Sequence, residues 1–137
     1  MQKLFIIIAE DDADDRFLLQ TAFNENGFKD DLHFIPDGYE LMEYLKTHKN
    51  VSTPSQKLDF ILLDLNMPKK NGREVLAEMN ADPILKQIPV VVFSTTSNDT
   101  ERKRCFELGA KAYVTKPVTF AALIQSIVEI RGAFVGK

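Results

Sequence analysis

Phe60-Ile61-Leu62-Leu63-Asp64-Leu65-Asn66-Met67-Pro68-Lys69-Lys70-Asn71-Gly72 is the stretch that decides the architecture. An apolar run without polar alternation stops at a carboxylate. Such a run suits a strand buried on both faces of a parallel sheet. A loop with Pro68, Asn71 and Gly72 follows, and from Gly72 to Ala81 the spacing of Val75, Leu76 and Met79 is helical. Asp64 is therefore expected at the carboxyl end of a central strand, the edge where open α/β sheets bind their ligands.

The same alternation extends in both directions. Upstream, Leu4-Phe5-Ile6-Ile7-Ile8-Ala9 reads as a buried strand ending in Glu10-Asp11-Asp12. A helix from Ala13 to about Asn26 follows, with Leu19, Ala22 and Phe23 as its core face. Leu32-His33-Phe34-Ile35 is a short strand, and Pro36 places it at an edge or marks its end. Asp37-Gly38 opens a second helix that turns Leu41, Met42 and Leu45 inward. Thr47 to Lys57 is polar and reads as an exposed loop. Downstream, Pro89-Val90-Val91-Val92-Phe93 is a strand ending at Ser94-Thr95-Thr96. Ser97 or Asn98 caps a helix reaching Leu108. Ala112-Tyr113-Val114-Thr115 is the last strand, ending at Lys116-Pro117, and Thr119 caps a final helix bearing Leu123, Ile124, Ile127 and Val128.

Strict strand–helix alternation implies an α/β fold: a doubly wound, five-stranded parallel sheet with helices on both faces. Right-handed crossovers favour the flavodoxin-like strand order 2-1-3-4-5. The 137 residues suit one domain, 1–137. A net charge of -3 gives no sign of a nucleic-acid surface. No apolar run approaches the roughly 20 residues of a membrane span, and the acidic residues after Ala9 argue against a signal peptide. The single cysteine, Cys105, excludes an internal disulfide and reads as a packing thiol. These features point to the cytoplasm.

In this strand order, four neighbouring strand ends carry Glu10-Asp11, Asp64, Ser94 and Lys116. Adjacent strands lie about 4.8 Å apart, so Asp11 and Asp64 are expected to reach a common point with Glu10 close by. Crowded carboxylates repel unless a cation joins them, and Mg²⁺ takes such oxygen ligands while keeping room for water and a phosphate oxygen. Lys116 adds a fixed positive charge and Ser94 a hydroxyl. Together they make a cradle for a phosphoryl group, with a carboxylate available as nucleophile.

On these residues the chain resembles the receiver domain of two-component response regulators, from about Leu4 to Val128. The resemblance rests on the acidic pair after strand 1, on Asp64-Leu65-Asn66-Met67-Pro68 with Gly72, on the hydroxyl after strand 4, and on Lys116-Pro117. It implies that Asp64 is the phosphoacceptor. Mg²⁺ would be held by Asp11, Asp64 and the backbone carbonyl of Asn66, with Glu10 helping through water. Lys116 and Ser94 would hold the phosphoryl oxygens. Ser94 and Tyr113 would be the switch pair, and the Lys116–Pro117 bond would be cis. The resemblance also implies a signalling domain, not a turnover enzyme, that assists its own phosphorylation and dephosphorylation. Its donor would be a sensor histidine kinase or a histidine phosphotransfer protein. The Glu-Asp pair, the long loop after helix 2 and the Ser-Thr-Thr run resemble the small stand-alone regulators that partner bacteriophytochromes.

Ser94 stands where the family more often has threonine, and Thr95 where alanine is frequent. With no DNA-binding module in the sequence, output is expected through a downstream protein target. Phe17 and Leu18 are more apolar than one core face needs and are candidates for meeting the kinase or phosphotransfer helix. Phe134 and Val135 either seal the domain, fray or join a homodimer. Two other classes fit less well. A phosphatase of the haloacid-dehalogenase type wants a second acid where Asn66 stands. A flavodoxin-like cofactor binder wants a Ser-, Thr- and Gly-rich loop where Glu10-Asp11-Asp12 would repel phosphate.

Overall fold

The computed structural model describes residues 3–47, 52–53 and 56–135. Five strands and five helices alternate: β1 Phe5–Ala9, α1 Ala13–Glu25, β2 Asp31–Ile35, α2 Gly38–Thr47, β3 Phe60–Leu63, α3 Gly72–Asn80, β4 Val90–Ser94, α4 Asp99–Glu107, β5 Ala112–Thr115 and α5 Phe120–Gly132. The strands form one parallel sheet in the order β2-β1-β3-β4-β5. This is the flavodoxin-like order expected from the alternation. A 3₁₀ turn, Leu85–Gln87, lies between α3 and β4.

Period-two side-chain alternation divides the central strands between two cores. Ile7, Ala9, Ile61, Leu63, Val90 and Val92 face one layer, with Leu41, Met42 and Leu45 of α2, Val75, Leu76 and Met79 of α3, and Cys105 of α4. Ile6, Ile8, Phe60, Leu62, Val91 and Phe93 face the other, with Leu19, Ala22 and Phe23 of α1 and Leu123, Ile127 and Ile130 of α5. Burial on both faces explains why β1, β3 and β4 carry no polar alternation. Among the described residues no helix is long and apolar enough to cross a membrane.

The helix starts follow local side-chain chemistry. Asp12, Asn98 and Thr119 each accept a backbone N–H of the first turn, and Asn71 forms a reciprocal capping box with Glu74. The polar segment between α2 and β3 was expected to be a plain loop. Ser52–Thr53 and Gln56–Lys57 instead pair as a short antiparallel ladder, while 48–51 and 54–55 lie outside the described residues. The ladder is too short to show a strand period in sequence. Phe134 settles on its own domain: its ring stacks on Phe60 with centroids 4.3 Å apart.

Gly38 explains why α2 begins where it does. A Cβ there would stand 1.9 Å from the Lys70 carbonyl oxygen, so only a glycine lets the helix meet the loop after β3. Lys70 N–H donates to the Pro68 carbonyl at 2.7 Å across Lys69, whose φ is +67°. That is a tight turn in the left-handed region, and it leaves the loop little room to yield. Gly38→Ala should therefore cost about 2–3 kcal/mol, read as a fall in the urea midpoint at unchanged slope. A loss under about 0.5 kcal/mol would show that the two segments are not held together.

Candidate functional site

The carboxyl edge of the sheet collects the site. The Ala9↔Leu63 pair ends the β1–β3 ladder, and Asp64 N–H donates to the Ala9 carbonyl at 3.1 Å. Glu10 and Asp64 therefore leave the sheet side by side, and both are buried, Glu10 at 2% and Asp64 at 7% exposure. Oxygens of Glu10, Asp11 and Asp64 all lie within 4.8 Å of one another. Gly72 backs this corner, since a Cβ there would come within 2.7 Å of the Asp64 carbonyl. Asn66 N–H donates to Asp64 Oδ1 at 3.2 Å and helps orient the carboxylate.

Lys116 enters from β5. Its Nζ lies 2.8 Å from Glu10 Oε1, 3.5 Å from Asp15 Oδ2 and 3.6 Å from Asp64 Oδ2. Burial opposes the ammonium, but the hydrogen bond to Glu10 and the charges of Glu10, Asp64 and Asp15 outweigh it and raise its pKa. Burial and then the Asp64 charge push Glu10 up to about 7, against the hydrogen bond from Lys116. One ammonium thus serves an excess of carboxylates. Hard oxygen donors, close spacing and surplus negative charge fit a divalent cation.

The cis bond expected at Lys116–Pro117 is not found: all peptide bonds among the described residues are trans. The trans form is the lower-energy isomer even before proline. Here Lys116 N–H donates to the Ser94 carbonyl at 2.7 Å, and the side chain reaches the cluster from that backbone.

Ser94 and Tyr113 form a second group. Ser94 is fully buried, and its Oγ accepts the Thr96 N–H at 3.3 Å. Tyr113 is 5% exposed, and its hydroxyl donates to the Thr96 carbonyl at 2.8 Å. Burial raises the phenol's pKa, which the neighbouring Ser94 hydroxyl partly offsets. The ring lies inside the domain. Arg102 of α4 lies over it, with its guanidinium carbon 5.6 Å from the ring centroid and Nη1 donating to the Tyr113 carbonyl at 3.2 Å.

Three neighbours of the site were not singled out in sequence: Asp15, Arg16 and Arg102. Arg16 Nη1 donates to the carbonyls of Glu10 at 3.0 Å and Asp11 at 3.2 Å, which ties down the acidic loop. The usable signal is geometric. Side chains in a first helical turn lean back toward the N-terminus, so positions 15 and 16 tip toward the end of β1. Asp12 itself is a cap, accepting Asp15 N–H at 3.0 Å. Phe17 and Leu18, at 70% and 40% exposure, stand outside the core beside this edge.

The fold and this edge define a class of signalling domain, and sequence comparison agrees: the chain belongs to the response regulator receiver domain family, which matches residues 6–128. Among its relatives is the response regulator Rcp1 of Synechocystis sp., 39% identical over 89% of this chain and 82% of its own length. The Mn(2+)-bound form of Rcp1 superposes with a TM-score of 0.82 at 33% identity, covering 98% of this chain and 96% of that one. The phosphorylated cyanobacterial phytochrome response regulator RcpA does so at 0.84 and 36% identity, with the same coverage. The bacteriophytochrome response regulator AtBRR gives 0.75 at 30% identity, covering 100% of this chain and 98% of its own. The chain is thus similar to the regulators that partner phytochromes, as its acidic pair and Ser-Thr-Thr run suggested.

Proposed function

We propose that this protein accepts a phosphoryl group on Asp64 from a sensor histidine kinase or a histidine phosphotransfer protein, with Mg²⁺, and thereby switches a protein-interaction surface. The observation that carries the reading is the convergence of three carboxylates with Lys116 Nζ 3.6 Å from Asp64 Oδ2. Its relatives among phytochrome regulators make a bacteriophytochrome the kinase to test first.

Asp11 and Asp64 would hold Mg²⁺ directly, the Asn66 carbonyl would complete the protein ligands, and Glu10 would act through water. Bound there, the ion supplies neutralisation of phosphoryl charge. An Asp64 oxygen forms the new P–O bond as the P–N bond to the donor imidazole breaks, and the electron pair stays on the imidazole nitrogen. Lys116 pairs with one phosphoryl oxygen and Ser94 donates its hydroxyl to another. Ser94 Oγ accepts the Thr96 N–H, so as the hydroxyl is drawn to the phosphoryl group the 94–96 loop shifts with it. That shift moves the Thr96 carbonyl, the acceptor of the Tyr113 hydroxyl.

With the ring already inside, phosphorylation biases a packing within reach, and the α4–β5–α5 face changes with it. Exposed Phe17 and Leu18 offer the donor an apolar contact next to Asp64's edge. The reading makes the domain a cytoplasmic phosphoacceptor that assists its own phosphorylation and dephosphorylation and passes the signal to another protein.

Metal binding gives the direct test. Mg²⁺ at a hundredfold excess over its Kd should stabilise the fold by about 2.7 kcal/mol, visible as a rise in Tm. Asp11→Asn should remove most of that rise while leaving the metal-free Tm near the parent's. A full Mg²⁺ response in the variant would take Asp11 out of the site.

A further inference from the structure

We propose that Asp15 selects the phosphodonor: its carboxylate, set against Lys116 at the mouth of the site, disfavours free acyl phosphates relative to a phosphohistidine delivered on a protein. The inference rests on Asp64 being the phosphoacceptor. Three carboxylates contact the Lys116 ammonium, and they are not equivalent. Glu10 is buried and shares the candidate cation cluster with Asp64 and Asp11, to which Asp15 does not belong. The Asp15 side chain is 44% exposed, against 14% for Lys116, so it occupies the solvent side of the ammonium.

An acidic residue in a first helical turn is favoured by the helix dipole alone. Asp14 serves that purpose equally. The dipole does not explain why Asp15 meets a lysine 101 positions away.

Two consequences follow from the contact, and they have the same sign. The carboxylate competes for the ammonium that must pair with a phosphoryl oxygen. It also repels an incoming dianion at short range, where screening is weakest. A small donor has nothing with which to offset this penalty. A protein donor has the exposed apolar side chains of Phe17 and Leu18 to bind. Discrimination then comes from a repulsive element that only one class of donor can overcome.

Acetyl phosphate is the probe. Asp64 Oδ bonds to phosphorus as the P–O bond to the acetyl group breaks, and the electron pair departs with acetate, so no added proton or co-reactant is needed. Initial rates of phosphoryl incorporation are measured by intact mass with Mg²⁺ at low ionic strength, in the parent, Asp15→Asn and Asp14→Asn proteins. Removing the Asp15 charge should lower KM about three- to tenfold with kcat changed less than about twofold. Raising the ionic strength should shrink the difference, and beryllofluoride affinity in the presence of Mg²⁺ should rise in proportion to the fall in KM. Asp14→Asn should stay within about twofold of the parent. Asp15→Ser serves as a second variant should the amide disturb the helix start.

A KM for both Asp15 variants equal to or above the parent's would overturn the assignment. So would an equal fall in Asp14→Asn, which would mean a general charge effect. A parent protein that takes no phosphoryl group at all would sink the Asp64 reading instead, so the two failures are distinguishable.

Discussion

Asp64→Asn should abolish phosphoryl incorporation from acetyl phosphate with Mg²⁺, with at least about a hundredfold loss read by intact mass. The amide is close to isosteric, and its oxygen can still accept the Asn66 N–H that reaches Oδ1 at 3.2 Å. Lys116 keeps its shortest contact, to Glu10 at 2.8 Å, so the ammonium stays in place. The fold is therefore expected to survive with a Tm near the parent's. On the proposed reading the loss is that of the nucleophile, since an amide oxygen is a poor attacker of phosphorus. Asp11→Asn should lower incorporation through metal affinity and recover at high Mg²⁺, whereas Asp64→Asn should not recover. An Asp64→Asn protein that still gains one phosphoryl group would refute the assignment, and Glu10 or Asp11 would become the acceptor to examine.

Much of this corner was legible in sequence because the buried parallel strands β1, β3 and β4 announce themselves as uninterrupted apolar runs. Each run ends where the chain leaves the sheet, so the residue after it is placed at the carboxyl edge without further information. Glu10 and Asp64 are residues of that kind; Ser94 closes β4 itself, and Lys116 follows the less deeply buried β5. Asp15 and Arg16 belong to a helix turn: the lean of the first turn aims Arg16 at the Glu10 and Asp11 carbonyls, but the meeting of Asp15 with Lys116 depends on how α1 docks, which no local pattern encodes. Tyr113 lay between these cases: strand period put it on one face of β5, but its depth depends on α4 and on the Thr96 carbonyl 17 positions away. The cis expectation at Lys116 came from family resemblance alone, and the local backbone reaches the same site in the trans form. The short ladder between α2 and β3 had no period to read.

A second pair hidden from sequence supports the largest expected change in stability: Arg131→Ala should cost about 3–5 kcal/mol. Arg131 sits in the last turn of α5, where a cation is expected to be a solvated complement to the helix dipole. Instead its side chain is 6% exposed and that of Asp30 is 0% exposed. Nε donates to Asp30 Oδ2 at 2.6 Å and Nη2 to Oδ1 at 2.9 Å, while the guanidinium lies 4.0 Å from the Phe28 ring centroid. Asp30 Oδ1 also accepts the Leu4 N–H at 2.9 Å. The pair thus ties the end of α5 to the turn before β2 and to the chain entering β1. Truncating the arginine leaves a carboxylate inside with one described backbone donor, and that uncompensated charge dominates the loss. At roughly 3 °C per kcal/mol for a chain of this size, Tm should fall by about 10–15 °C. The double variant Asp30→Asn with Arg131→Ala tests the cause. It removes both charges and keeps an acceptor for Leu4 but leaves the space beside Phe28 as empty as in Arg131→Ala, so it should lose less than Arg131→Ala alone. Equal losses would mean that packing against Phe28, and not the stranded carboxylate, sets the cost.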